Sequence, residues 1–201
     1  MSTAHLDRQS ARDRLLAAAD QLFYNEGVHS VGIDRILAEA GVAKATLYTA
    51  FGSKEELIRV YLQRRHERRK ERLLEAIAAY PSPADQILGV FTAAGALAVE
   101  SGFRGCAFMN ASAESDVGNA VQAVCDAHRA WLRGLFAERV RAAGATDPER
   151  LADQLVLLYD GAVTGARMDR NVQPITTAKE LAAVLLERAL GPQQSSSGTV
   201  A

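Results

Sequence analysis

Between residues 44 and 54 the chain sets cations and hydroxyls close together: Lys44, Thr46, Tyr48, Thr49 and Lys54, with Ala45 among them. These side-chain types suit a polyanion better than a reaction centre. A lysine meets a phosphate as a point charge. A hydroxyl bonds a phosphate oxygen or a base edge, and the threonine methyl can lie against a thymine methyl. Arg35, nearby, is a further candidate phosphate partner. Lys54 follows Ser53 where a helix should open, and free backbone N–H groups with the positive helix end also favour an anion there.

Two short elements must position these residues. Ile33, Ile36, Leu37 and Ala40 fall at helical spacing before Gly41-Val42 interrupts the pattern, and Leu47 and Phe51 then lie four residues apart. Gly41 suits the residue just past a helix end, where a left-handed backbone carries no Cβ penalty. Val42 can then tuck between the two helices. Such a pair describes a helix-turn-helix, whose second helix enters the DNA major groove.

The stretch GVHSVGIDRILAEAGVAKATLYTAFGSKEEL resembles the N-terminal DNA-binding domain of TetR/AcrR-type transcriptional repressors. The elements carrying the resemblance are the glycine turn with Val42, Thr46-Leu47-Tyr48, Phe51 and Ser53-Lys54. It implies DNA contacts from the second helix and a phosphate contact at Lys54. Three positions depart from the family pattern. Ala43 stands where serine is frequent, so a side-chain helix cap worth about 1 kcal/mol is missing. Ala45 replaces a frequent glycine and recovers part of that through helix propensity. Ala50 replaces a histidine or tyrosine that touches the DNA backbone in many relatives.

The 201 residues, 48% of them hydrophobic, allow one large or two small domains with a real core. No run approaches the roughly 18 apolar residues of a membrane span. The opening residues are polar and charged, without a signal-peptide core, so a cytoplasmic location with no membrane partner is expected. Residues 1–72 hold 13 Lys and Arg against 10 Asp and Glu, and residues 73–201 hold 10 against 14. The sign suits a DNA-facing front half, although three charges decide little. Cys106 and Cys125 show neither metal nor disulfide spacing. With no Ser-His-Asp set, paired-carboxylate site or phosphate-binding glycine loop, no catalytic residue, metal or cofactor is expected.

Helix signals recur along the whole chain and strand signals do not, so the fold expected is all-α. Ser10 with Asp13, Ser53 with Glu56, Ser82 with Asp85 and Thr177 with Glu180 match the capping box. Pro83 and Pro148 sit at first-turn positions. The helices expected are 10–26, the pair above, 53–79, 83–101, 105–114, 117–143, 147–169 and 177–190. They give a helix-turn-helix domain at 1–52, a regulatory and dimerisation domain at 53–190 entered through helix four, and a flexible tail at 191–201. The waist of helix four, QRRHERRKER, reads as a solvated face with internal pairs such as Glu67 with Lys70 and Arg68 with Glu71.

In the second domain, Phe103, Cys106, Phe108, Met109, Asn110, His128, Trp131 and Tyr159 are candidate linings for an apolar effector pocket. Gly161-Ala162 and Gly165-Ala166 repeat four apart, and Leu181, Val184 and Leu185 follow on the last helix. With Tyr159, these are the candidate dimer interface. In the resembled family the last two helices form a four-helix bundle with their mates. The expected function is a homodimeric repressor of a palindromic operator, released by an unknown small molecule. Two recognition helices would then sit about 34–36 Å apart on successive major grooves. A thiol-based redox regulator using Cys106 or Cys125 is the alternative, and a helical small-molecule-binding protein without DNA affinity is the remoter one. The sequence leaves repression or activation open.

Overall fold

The computed structural model describes residues 10–116 and 118–191. Among them run nine helices and no strand: α1 (Ala11–Glu26), α2 (Ile33–Ala40), α3 (Lys44–Phe51), α4 (Lys54–Ala78), α5 (Pro83–Ala98), α6 (Ala107–Glu114), α7 (Ala120–Ala142), α8 (Pro148–Asp169) and α9 (Gln173–Leu190). The opening residues, the expected start of α7 at residue 117 and nearly all of the expected tail lie outside the described residues.

Side-chain caps set most helix starts. The hydroxyls of Ser10 and Ser82 each accept a backbone N–H three residues on at 3.1 Å, and that of Ser53 does so at 3.0 Å. Asp147 caps α8, and Pro83 and Pro148 occupy first turns. The expected start at Thr177 is corrected. Helix α9 opens at Gln173, whose N–H donates to the Asn171 side chain at 2.8 Å, and Thr177 lies exposed inside the helix. An asparagine that turns the chain two residues ahead supplied the signal. Helix α5 ends at Ala98 rather than near 101, and the chain turns through Gly102 at φ 80°.

Two compact units emerge. One takes the chain to Arg69 and adds Cys106–His128; the other takes Lys70–Gly105 and the chain from Arg129 onward. This differs from a boundary at residue 52. Ala107, Phe108, Ala111, Val121 and Cys125 share one core with Leu15, Leu47, Phe51 and Leu57, so α6 and the start of α7 belong with the helix-turn-helix.

Within that unit the turn between α2 and α3 is a Schellman closure. Gly41 adopts φ 62°, its N–H donates to the Ala38 carbonyl at 3.3 Å, and the Val42 N–H donates to Leu37 at 3.2 Å. Val42, half-buried, packs against the core. Helix α3 has eight residues and no side-chain cap at Ala43. Two turns of helix are marginal alone, so α3 rests on Leu47 (0% exposed) and Phe51 (6%).

The waist of α4 is also corrected. Arg68 pairs with Asp20 of α1 at 2.7 Å rather than with Glu71, and Arg65 takes the same carboxylate through both arms of its fork at 3.0 and 2.8 Å. The Arg65 guanidinium lies 4.0 Å from the centroid of the Tyr24 ring and 5.3 Å from that of Tyr61. Further along, His66 and His128 share a hydrogen bond of 3.0 Å between their Nδ1 atoms, and Phe108 stacks on His128 with ring centroids 3.6 Å apart. Burial pushes the His128 ring down to about 3, and the charges of His66 and Arg69 push the same way.

In the second unit Phe91, Phe136 and Tyr159 meet with centroids 6.0–6.3 Å apart. Helices α8 and α9 approach closely at Gly165, where a Cβ would come within 2.8 Å of Pro174.

Ala43 holds the extended backbone of a cap, φ −75° and ψ 153°. Ala43→Ser is therefore expected to stabilise the protein by about 1 kcal/mol, read as a higher urea midpoint at unchanged slope. His128 stays neutral in the folded chain down to about pH 3, whereas an unfolded histidine protonates near 6.5. Its contribution to stability is thus full above pH 6.5 and falls as pH drops toward 3, by up to about 1.4 kcal/mol per pH unit. Urea titrations at pH 7 and 5 should show a smaller loss for His128→Asn than for the wild type.

Candidate nucleic-acid interface

The geometry of α3 separates two faces. Leu47 and Phe51 point into the core, whereas Lys44, Ala45, Tyr48 and Thr49 are exposed and Thr46 is half-buried. Tyr48, a large ring, is 46% exposed. Helical periodicity turns Ala45, Thr46, Tyr48 and Thr49 away once Leu47 is buried, because residues one and two positions away cannot share its face, whereas Lys44, three residues before Leu47, is exposed at the first position of the helix. The outward set offers one ammonium and three hydroxyls, with no carboxylate on α3 itself.

Lys54 opens α4 and is half-buried; its Nζ donates to the His29 carbonyl at 3.4 Å. Burial lowers its pKa, and the negative charge of Glu114 works in the opposite direction. Arg35 is exposed but forks onto Glu26, with Nη2 donating to Oε1 at 2.8 Å, so a phosphate at Arg35 must displace a carboxylate. Exposed pairs of this kind hold weakly.

Glu114 is the last residue of α6. Its Oε2 accepts the His29 backbone N–H at 2.8 Å, 85 residues away in sequence. A Cβ on Gly27 (φ 98°) would come within 2.6 Å of its Oε1. No local pattern signals such a contact. Only the glycine in the turn and the acid at a helix end were visible.

The eight expected pocket residues divide between the units. Cys106, Phe108, Met109, Asn110 and His128 lie in the first, and Phe103, Trp131 and Tyr159 in the second. Phe108 and His128 are buried against one another, Tyr159 is buried against Phe91 and Phe136, and Met109 is 38% exposed. A groove of about 380 Å³ between α5 and α9 is lined by Ala84, Leu88, Ala183, Leu186 and Leu190. A second, of about 520 Å³ along α8 and α9, is lined by Leu157, Gly161, Thr177 and Leu181, among others. None of the eight lines either groove. The Cys125 thiol is buried and pushed up to about 11, chiefly by burial, which is the reverse of a reactive thiolate.

The residues of the expected dimer face divide between the inside and the outside of the chain. Tyr159, Ala162 and Ala166 are buried within the subunit, and Gly165 serves the α8–α9 contact at Pro174. Small residues four apart mark a close helix approach without saying which helix approaches. Gly161, Leu181 and Val184 do face outward, and Leu185 is half-buried. Leu157, 71% exposed, and Met168, 74%, join them on the outer side of α8. No helix among the described residues is long and apolar enough to cross a membrane.

The family model for bacterial regulatory proteins of the tetR family matches residues 15–61. The solved structure of SCO4454, a TetR-family transcriptional regulator from Streptomyces coelicolor, superposes with a TM-score of 0.86 at 35% identity, covering 90% of this chain and 96% of that one. That of sav143 from Streptomyces avermitilis MA-4680 gives 0.82 at 32% identity, covering 90% and 98%. Among curated relatives, the HTH-type transcriptional regulator Rv1255c of Mycobacterium tuberculosis (strain ATCC 25618 / H37Rv) is 37% identical over 78 residues, and the match spans only 39% of each chain. The HTH-type transcriptional activator FasR of Mycolicibacterium smegmatis is 46% identical over 59 residues, 29% of this chain and 27% of its own. With a matching family model over the helix-turn-helix and a match to SCO4454 along nearly its whole length, the chain belongs to the TetR family of transcriptional regulators and carries that family's DNA-binding helix-turn-helix.

Proposed function

We propose that the protein is a homodimeric, sequence-specific repressor that leaves its operator when a small molecule binds the helical part beyond the helix-turn-helix. The observation that carries the DNA reading is the two-faced α3, with Leu47 fully buried and Lys44, Ala45, Tyr48 and Thr49 outward. Tyr48, Thr46 and Thr49 read base edges and phosphates, while Lys44 and Lys54 hold the backbone on either side. Phosphate contacts of this kind set register and affinity, and base-edge contacts set sequence preference.

Dimerisation is supported by the outer stripe of Leu157, Gly161, Met168, Leu181 and Val184 on α8 and α9, together with the groove along it. A second copy presenting the same stripe forms a self-complementary, two-fold interface. Two-fold symmetry in turn asks for a palindromic operator with half-sites about 34–36 Å apart. The effector acts only through its different affinities for the DNA-bound and free geometries. Activation is the second reading, favoured by the likeness of a 59-residue stretch to FasR, whose own description is an activator. The two differ in where the operator lies relative to the promoter, not in the chemistry of α3.

Anisotropy titrations on a duplex selected from a random pool test this reading. Lys54→Ala should weaken selected and scrambled duplexes alike and reduce the salt slope of log K by about 1. Tyr48→Ala should instead erase the preference for the selected duplex. Equal, weak binding of all duplexes by ligand-stripped wild type would overturn the DNA reading. Sedimentation of a Leu181→Asp/Val184→Asp double variant should show monomers where the wild type is dimeric, because paired carboxylates cannot be buried face to face.

A further inference from the structure

The corner formed by the α1–α2 turn and the first turn of α4 already contains what a phosphate binds: a backbone N–H at His29 and the ammonium of Lys54, whose Nζ reaches the carbonyl of that same His29 at 3.4 Å. The N–H is not open. Glu114 of α6 fills it with a carboxylate oxygen at 2.8 Å, and its charge acts on Lys54. The seat is shaped for it, because any side chain at Gly27 would place a Cβ 2.6 Å from the other carboxylate oxygen. All four residues lie in one compact unit.

We propose that Glu114 is an internal competitor for the operator phosphate, a carboxylate from α6 that occupies the His29–Lys54 corner when DNA is absent and must yield it, or share it, when DNA binds. The inference rests on the DNA reading above and adds to it a residue that sets affinity by acting through Lys54 and the His29 N–H. A carboxylate and a phosphate oxygen ask for the same donors, so they exclude one another by chemistry as well as by charge. A shift of α6 that withdrew Glu114 would raise affinity, and one that pressed it inward would lower it.

Glu114→Gln keeps an oxygen that can accept the His29 N–H and removes the charge. On the full chain and the duplex selected by the wild type, it should tighten binding about fivefold at moderate salt. In a Lys54→Ala background the same change should bring much less tightening. That coupling is a readout a purely structural role for Glu114 would not produce. Equal tightening in both backgrounds would reduce Glu114 to one more distant charge and overturn the proposal. So would unchanged or weaker binding by a Glu114→Gln protein with a wild-type melting temperature. If Glu114→Gln melts early, Glu114→Ala in the same two backgrounds carries the test. Failure of the wild type to prefer any duplex would remove the DNA reading itself, whereas normal wild-type binding with no Glu114–Lys54 coupling removes only this inference.

Discussion

Everything in the DNA-facing unit depends on burying two side chains of a helix that cannot stand alone. Helix α3 has eight residues, and its first residue lacks a capping side chain in front of it. Forming its first turn costs more than two turns of hydrogen bonds return. Leu47 and Phe51 supply the difference by leaving water completely or nearly so, and truncating a buried leucine typically costs about 2–5 kcal/mol. Several neighbours follow from that requirement. Helices α1 and α2 give Leu15, Ala19 and Ile36 to the same core, and the start of α4 gives Leu57 and Ile58. The Gly41 turn closes the α2–α3 angle so that the two apolar faces meet.

The charged waist of α4 serves this core rather than decorating it. Isolated surface ion pairs contribute about 0–1 kcal/mol. Asp20 and Arg65 differ from that case, being only 24% and 22% exposed in their side chains, joined through two hydrogen bonds, with two tyrosine rings against the guanidinium. Burial of the Tyr61 ring raises its hydroxyl pKa well above the ordinary value, so the phenol remains neutral beside Arg65. The pair therefore fixes α1 on α4 with a planar, oriented contact, and α4 in turn holds Lys54 at the edge of the interface.

Local signals were legible and distant ones were not. Serine, proline and aspartate announced the starts of α1, α4, α5 and α8 because a cap is a contact over three residues. The same logic failed at α9, where Thr177-Glu180 imitated a capping box inside a helix that Asn171 had already begun. The outward placement of Ala45, Tyr48 and Thr49 on α3 followed from periodicity, whereas Lys44 is three residues from Leu47 and periodicity does not turn it away. The small residues of α8 did not sort themselves, since Ala162 and Ala166 turn inward and Gly161 outward on one repeat. Nor did any pattern announce that α6 belongs with the helix-turn-helix, because its evidence is Phe108 and Ala111 in that core and a Glu114–His29 hydrogen bond spanning 85 residues.

The tight meeting of Gly165 with Pro174 has a consequence for association. With no room for a Cβ between them, α8 and α9 form a hairpin whose two outer faces hold a fixed relation before any partner arrives. Leu157 and Gly161 on one helix and Leu181 on the other are thus presented as a preformed surface. A surface that is already ordered loses little conformational entropy when it is covered, so more of the apolar area it buries can appear as affinity. A single glycine inside the chain thereby fixes how the two outer faces are held relative to one another.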